Sequence, residues 1–219
     1  MPHRRHALPE TASQAERHED GRLFAASAER NKGPIADLLR HHGLTKGRAL
    51  EIAAGTGQHA VHIAQSFPDL DLFPTDPDPE RRISIDAWAK VSNLPNLHPA
   101  MPLDAFSAGW HIEHPNNAVI LVVNLLHLIS EAEARTLVAE AAQALAEGGT
   151  LVIYGPFLRD GETTSEGDAR FHAQLQEQSP LIGYKDDFDV IEWMQEYFLT
   201  LVNVVEMPAN NLAILARRG

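Results

Sequence analysis

Ala49-Leu50-Glu51-Ile52-Ala53-Ala54-Gly55-Thr56-Gly57-Gln58-His59-Ala60-Val61-His62-Ile63-Ala64, followed by Asp71-Leu72-Phe73-Pro74-Thr75-Asp76, decides the fold. A short apolar run ends in two glycines one residue apart and gives way to Ala60, Val61, Ile63 and Ala64 at helical spacing. That pattern predicts a strand, a tight turn and a helix. A second apolar strand delivers Asp76 about 20 positions past Gly55, where a carboxylate meets a ribose in nucleotide-binding folds. The stretch therefore opens a nucleotide-binding unit.

Toward the C-terminus, strands and helices alternate. Pro77 and Pro79 help start a helix with Ile83, Ile85, Trp88 and Val91 as candidate buried positions. Residues 97–103 read as a weak third strand, interrupted by prolines. The run Ala118-Val119-Ile120-Leu121-Val122-Val123 is the mark of a strand buried on both faces of a parallel sheet, and it ends in Asn124-Leu125-Leu126-His127. A helix is expected over residues 131–146 with Gly148-Gly149 as its stop, then a fifth strand over 150–154. Residues 155–167 have the length of a pocket rim, and two helical stretches follow at 169–178 and 188–197. Strands at 199–206 and 211–216 are joined by Met207-Pro208-Ala209-Asn210, too short for a parallel crossover, so they pair antiparallel. The fold class expected is α/β: a doubly wound, mostly parallel seven-stranded sheet with a C-terminal antiparallel hairpin.

Toward the N-terminus, Pro34 suits the first turn of a helix carrying Ile35, Leu38 and Leu39. Residues 1–24 are polar and without a steady period, which predicts a flexible leader ahead of a single domain at 25–219.

Composition narrows the function. The chain has 219 residues, 44% of them hydrophobic and 22% charged, as in ordinary soluble domains. A formal charge of −12 disfavours a nucleic-acid partner, because phosphates need Lys and Arg to displace counterions. No cysteine is present, which removes thiolate nucleophiles and thiolate metal sites. The 12 histidines are scattered without a ligand-pair spacing, so no metal is expected. With no signal-peptide core and no apolar run near the ~20 residues of a membrane span, a cytoplasmic location is expected. The oligomeric state is left open.

The closing hairpin resembles that of the class I S-adenosylmethionine-dependent methyltransferases, and Glu51-Ile52-Ala53-Ala54-Gly55-Thr56-Gly57 resembles their acidic-x-x-x-Gly-x-Gly signature. A narrower resemblance runs from about residue 30 to 217. Arg30-Asn31-x-x-Pro34-Ile35, the glycine turn through Ala60, Ser84-Ile85-x-x-Trp88, Asn124-x-x-His127, Tyr154-Gly155-Pro156-Phe157 and Met207-Pro208-Ala209-Asn210-Asn211 resemble a methyltransferase-like "domain of unknown function" family of bacteria and animals. The resemblance implies S-adenosylmethionine as cofactor. Glu51, Gly55, Thr56 and Gly57 would shape its methionine pocket, Asp76 would bind the ribose, Asp104 would face the adenine amino group, and Ile83 or Ile85 would pack on the ring.

Ligands in open parallel sheets sit beyond the carboxyl ends of the strands. That rule gathers Asn124 and His127 after the fourth strand, Tyr154 to Phe157 after the fifth, and Asn210 and Asn211 after the sixth. Asn124 is expected to face the cleft, since an unpaired buried amide is costly. His127 and Tyr154 are candidate proton acceptors, with His59 in reserve. Arg30, Asn31, His59, Phe157, Asn210 and Asn211 are candidate substrate-binding residues, and the acceptor expected is a small molecule or a peptide. Two alternatives remain at this level. Gly55, Gly57 and Ala60 also satisfy the relaxed dinucleotide fingerprint of a nicotinamide-dependent oxidoreductase, and a non-catalytic S-adenosylmethionine-binding or scaffold protein would show the same donor motifs.

Overall fold

The computed structural model describes residues 15–219. Two strands at the start, β1 (Glu16–Arg17) and β2 (Leu23–Phe24), pair antiparallel. Then come α1 (Ala26–His41), β3 (Gly47–Ile52), α2 (Gln58–Ser66), β4 (Leu70–Pro74), α3 (Pro79–Ser92), α4 (Trp110–Glu113) and β5 (Asn117–Val123). The chain closes with α5 (Glu131–Ala144), β6 (Leu145–Pro156), α6 (Glu166–Gln178), α7 (Asp187–Glu196), β7 (Leu199–Met207) and β8 (Asn211–Arg218).

Six strands form one sheet in the order β4-β3-β5-β6-β8-β7. The pairs among β3, β4, β5 and β6 are parallel, and β8 runs antiparallel to both of its neighbours. This is the doubly wound architecture with one reversed strand. Among the described residues no seventh continuous strand joins this sheet. Residues 97–101 lie along β4 and make two isolated parallel bridges, Leu72 with Leu97 and Thr75 with Met101. Pro99 and Pro102 flank Met101 and bring no backbone N–H to a ladder, so pairing breaks after His98 donates to Leu72 O and resumes only where Met101 donates to Pro74 O.

Alternation along the strands feeds two apolar layers. Ile120 and Val122 of β5 pack with α5 and α7, while Val119, Leu121 and Val123 pack with α1 and α2. Caps hold the helices where the sequence supplies them. Ser130 and Glu133 form a reciprocal capping box on α5, Asp78 caps α3 ahead of Pro79, and Ser165 and Asp186 cap α6 and α7. Helix α5 stops at Ala144, short of Gly148-Gly149, because β6 already pairs with Asn117 at Leu145 and the Asn117 amide binds Ala144 O.

Of the leader expected at residues 1–24, residues 1–14 lie outside the described residues. Residues 16–24 form the β1–β2 hairpin, which lies on α3. Leu23 N donates to Ser84 Oγ at 2.7 Å, the Trp88 indole donates to Leu23 O at 3.0 Å, Arg17 pairs with Glu80, and the Arg22 guanidinium stacks 4.5 Å over the Trp88 ring.

Candidate functional site

The turn after β3 is built from unusual backbone. Ala53, Gly55 and Gly57 take φ of +53°, +61° and +90°. At Gly57 the reason is packing, since a Cβ there would lie 2.9 Å from Cα of Ile85. Ile85 is fully buried beneath the turn, and Ile83 is on the surface. Asp76 closes the turn from β4, with Oδ2 accepting from Gly55 N at 3.0 Å and Oδ1 from Asp78 N at 2.9 Å. Burial raises its pKa, and those two N–H groups oppose the rise.

Glu51 points into the same corner. It is 1% exposed, and its Oε2 has no hydrogen-bond partner among the described residues. Burial, reinforced by Asp76, pushes its pKa up to about 8, so the carboxyl is held in its neutral form.

Thr56, Gln58 and Ser84 fasten the N-terminal segment to this turn. Ser84 Oγ donates to Thr56 O at 2.7 Å while accepting from Leu23 N. Gln58 Oε1 accepts from Thr56 Oγ1 and from Ala25 N, and its amide donates to Glu29. The sequence signal for this role is the Ser84-x-x-x-Trp88 spacing, which puts a hydroxyl and an indole on one face of α3.

Four candidates from distant parts of the chain meet on the α1–α2 side of the sheet. His59 Nε2 lies 2.6 Å from Asn31 Oδ1. The Tyr154 hydroxyl lies beside the side-chain amides of Asn31 and Asn211, and the pairing of Pro156 with Asn211 brings the latter beside the end of β6. Asn31, His59 and Tyr154 are all buried. Burial pushes the His59 pKa down to about 4 and raises that of Tyr154, so both are neutral.

His127 falls on the opposite layer, in a short 3-10 turn at Leu126–Leu128. Its ring meets Phe171 and Tyr184 edge to face, with centroids 5.8 and 6.2 Å away. Burial and nearby Lys185 push its pKa down to about 3. The Lys185 ammonium donates to the carbonyls of Ile129 and Gly183, and burial lowers its pKa to about 8. Asn124 stands between the two layers at the end of β5, with φ +53° and its N–H donated to Tyr154 O. Asn210 reaches neither cluster; its amide donates to Asp168, which also accepts from Thr164, Ser165 and Tyr184.

Three candidates lie elsewhere. Asp104 caps its own turn, accepting from Phe106 N and Ser107 Oγ. Phe157 is 2% exposed within the core layer of α5 and α7. Arg30 is on the exposed side of α1. Lys185 and Asp168 were not legible in the sequence, because no local motif marks either. Among the described residues no group of acidic or histidine side chains could hold a metal ion, and no helix is long and apolar enough to cross a membrane.

A family model described as "Protein of unknown function (DUF938)" matches residues 22–218. Among solved structures, the chain is similar to an O-methyltransferase family protein from Burkholderia thailandensis, at 16% identity and a TM-score of 0.77, over 89% of this chain and 57% of that one. It is also similar to a putative O-methyltransferase from Nostoc punctiforme, at 16% identity and a TM-score of 0.76, over 86% and 56%. An O-methyltransferase family 2 protein from Planctomyces limnophilus, solved in complex with apigenin, matches at 20% identity and a TM-score of 0.70, over 88% and 61%. The chain thus spans little more than half the length of these proteins, and at such identities the likeness is one of fold.

Proposed function

The chain belongs to the DUF938 family of proteins of unknown function, and from that premise we propose that it transfers a methyl group from S-adenosylmethionine to a small-molecule acceptor. The observation that carries this reading is the corner under the glycine turn. Glu51 presents a buried oxygen without a partner among the described residues, Asp76 stands one strand away, and Gly55 gives the turn its left-handed backbone. An unanswered buried carboxyl is costly in a folded protein, and an ammonium-bearing nucleoside answers it.

In this reading Glu51, Gly55, Thr56 and Gly57 shape the methionine pocket, and Asp76 takes the ribose hydroxyls through the lone pairs that Gly55 and Asp78 leave over. When bound, the cofactor supplies a methyl group on a sulfonium, already activated for in-line displacement. The protein's part is alignment and exclusion of water. Asn124 orients the acceptor at the end of β5. Tyr154, beside Asn31 and Asn211, offers it a neutral hydroxyl. His127 receives a proton if the acceptor has one to lose, and its low pKa makes it a weak base that does not hold a charge in the resting state. Neutral amides and a phenol at the carboxyl end of the sheet suit a compact uncharged acceptor better than a basic peptide. The fold shared with the protein solved with apigenin supports the same class.

Calorimetry with S-adenosylhomocysteine and with NADH tests the donor. Micromolar binding of the first alone is expected; binding of NADH alone would make the protein an oxidoreductase instead. Turnover across a panel of hydroxylated and amine metabolites then separates an enzyme from a non-catalytic binding protein.

A further inference from the structure

Strand β7 ends the sheet, with β8 on one side and, among the described residues, no strand along its other edge. Its sequence, Leu199-Thr200-Leu201-Val202-Asn203-Val204-Val205-Glu206-Met207, is unusual for an edge. Edges are commonly blunted by lysines, prolines or inward-pointing charges. This one carries Glu206 alone as an ionisable side chain, and Glu206 pairs with Arg159 at 3.1 Å. Leu201 and Val202 are exposed, and Phe198, just ahead of the strand, is 89% exposed. Val202 is an extra residue in the ladder, since Leu201 pairs with Ala216 and Asn203 with Leu215. That bulge inverts the alternation. Before it, Leu199 and Leu201 lie on the α5–α7 side of the sheet; after it, Val204 takes that side opposite Ile214, while Asn203, Val205 and Met207 turn toward α1.

We propose that β7 is a self-association edge, on which two copies of this chain pair antiparallel about a two-fold axis between Val202 and Asn203 and join their sheets into one. The pattern of faces selects a second copy as the occupant. In this register Leu201 stands opposite Val204 of the other copy on the α5–α7 side, Thr200 opposite Val205 on the α1 side, and Val202 opposite Asn203. A regular strand has to leave Val202 unmatched, as β8 does, whereas a strand bulged at the same place and run in reverse meets it without a gap. Charge agrees with this choice. The chain's formal charge of −12 opposes self-association in general, yet the two Glu206 residues fall at opposite ends of the joint, each across from Leu199, so no like charges meet. At each end Phe198 comes into register with Met207 of the other copy, beside a groove of about 250 Å³ whose apolar wall is Pro34, Leu38, Val205 and Met207. One patch used twice about a two-fold axis gives a closed dimer rather than a growing fibre.

The test begins with light scattering on gel-filtered full-length protein at roughly 100 µM. The wild type should have twice the mass of one chain, and the Leu201→Glu/Val202→Glu variant, which gathers carboxylates around the axis, the mass of one chain. Both side chains are exposed, so the variant should keep the wild-type circular dichroism. Cysteine pairing then reads the register without relying on that variant. The chain has no cysteine of its own, so Leu201→Cys and Val204→Cys can be oxidised separately and as a mixture. The mixture should give a reducible covalent dimer at several-fold higher yield than either alone, because opposed residues bring their Cβ atoms within disulfide range. A wild type with the mass of one chain would overturn the proposal, whether residues 1–14 or another protein covers the edge instead. A dimer that survives in Leu201→Glu/Val202→Glu would overturn it by putting the contact on another surface, and equal cross-linking in the mixture and the single variants would overturn the antiparallel pairing.

Discussion

Nε2 of His59 lies 2.6 Å from Oδ1 of Asn31, a bond that ties the helix after the glycine turn to α1, with the Tyr154 hydroxyl beside the Asn31 amide. Asn31 is buried, and removing it strands the His59 imidazole, so Asn31→Ala should cost about 2 kcal/mol in urea unfolding, while Tyr154→Phe, which removes a buried hydroxyl beside Asn31, should cost about 1 kcal/mol. In the double variant the two losses should fall short of additivity by roughly 1 kcal/mol. Strict additivity would mean that the two residues do not act as one network.

Stability should peak near neutral to slightly acidic pH, for opposed reasons. Glu51 has a folded pKa raised to about 8 from an ordinary value of 4.5, so the folded state holds a proton that the unfolded state has lost. Its contribution is complete below the ordinary carboxylate pKa and drains away as pH rises toward 8. His59 and His127 have folded values of about 4 and 3 against an ordinary 6.5. Their contribution is present above 6.5 and is lost as pH falls toward those values. Glu51→Gln should flatten the alkaline limb of a pH series of chemical unfolding and leave the acid limb in place. An alkaline limb unchanged in that variant would assign the loss to another group.

The two glycines of the turn should respond differently to substitution. Gly57→Ala puts a methyl group 2.9 Å from the Ile85 backbone at φ +90°, and should cost more than about 2 kcal/mol through displacement of α3. Gly55→Ala, at φ +61° with the Arg81 head 3.4 Å away, should cost about 1 kcal/mol. Gly57 variants therefore report on folding rather than on ligand binding. Asp76→Asn probes the donor site from the β4 side, with a roughly tenfold loss of S-adenosylhomocysteine affinity expected beside a lower melting temperature, because its amide nitrogen cannot accept from the Gly55 or Asp78 N–H. Full affinity in that variant would remove Asp76 from the ribose.

Ser84 relays between the N-terminal hairpin and the donor turn, accepting from Leu23 N and donating to Thr56 O. Ser84→Ala should destabilise the protein by about 1 kcal/mol and speed amide exchange across residues 16–24 ahead of the rest of the chain. Exchange there at the wild-type rate would show that Trp88 and Glu80 hold the hairpin unaided.

The sheet was legible because its strands announce themselves. The unbroken run at 118–123 has no solvent-facing alternation, the glycine turn names its own geometry, and the short link before Asn211 leaves no route to a parallel partner. The third strand was over-read, since hydrophobicity is a property of side chains whereas Pro99 and Pro102 deny the ladder its donors. The hairpin at 16–24 was missed for the converse reason. Its own residues are polar and aperiodic, and what orders them is a serine and a tryptophan more than 60 positions away.

Local sequence thus determined the fold class and the glycine turn, because strand burial and glycine turns are set by neighbours along the chain. Tertiary structure alone decided how the candidates divide. Asn31, His59, Tyr154 and Asn211 meet on one layer, His127 joins Phe171 and Tyr184 on the other, and Phe157 is withdrawn into the core. The physical reason lies in the pleat. Successive residues of a strand face opposite layers, so candidates grouped at one end of the sheet are parted by which face each side chain takes and which helix covers it.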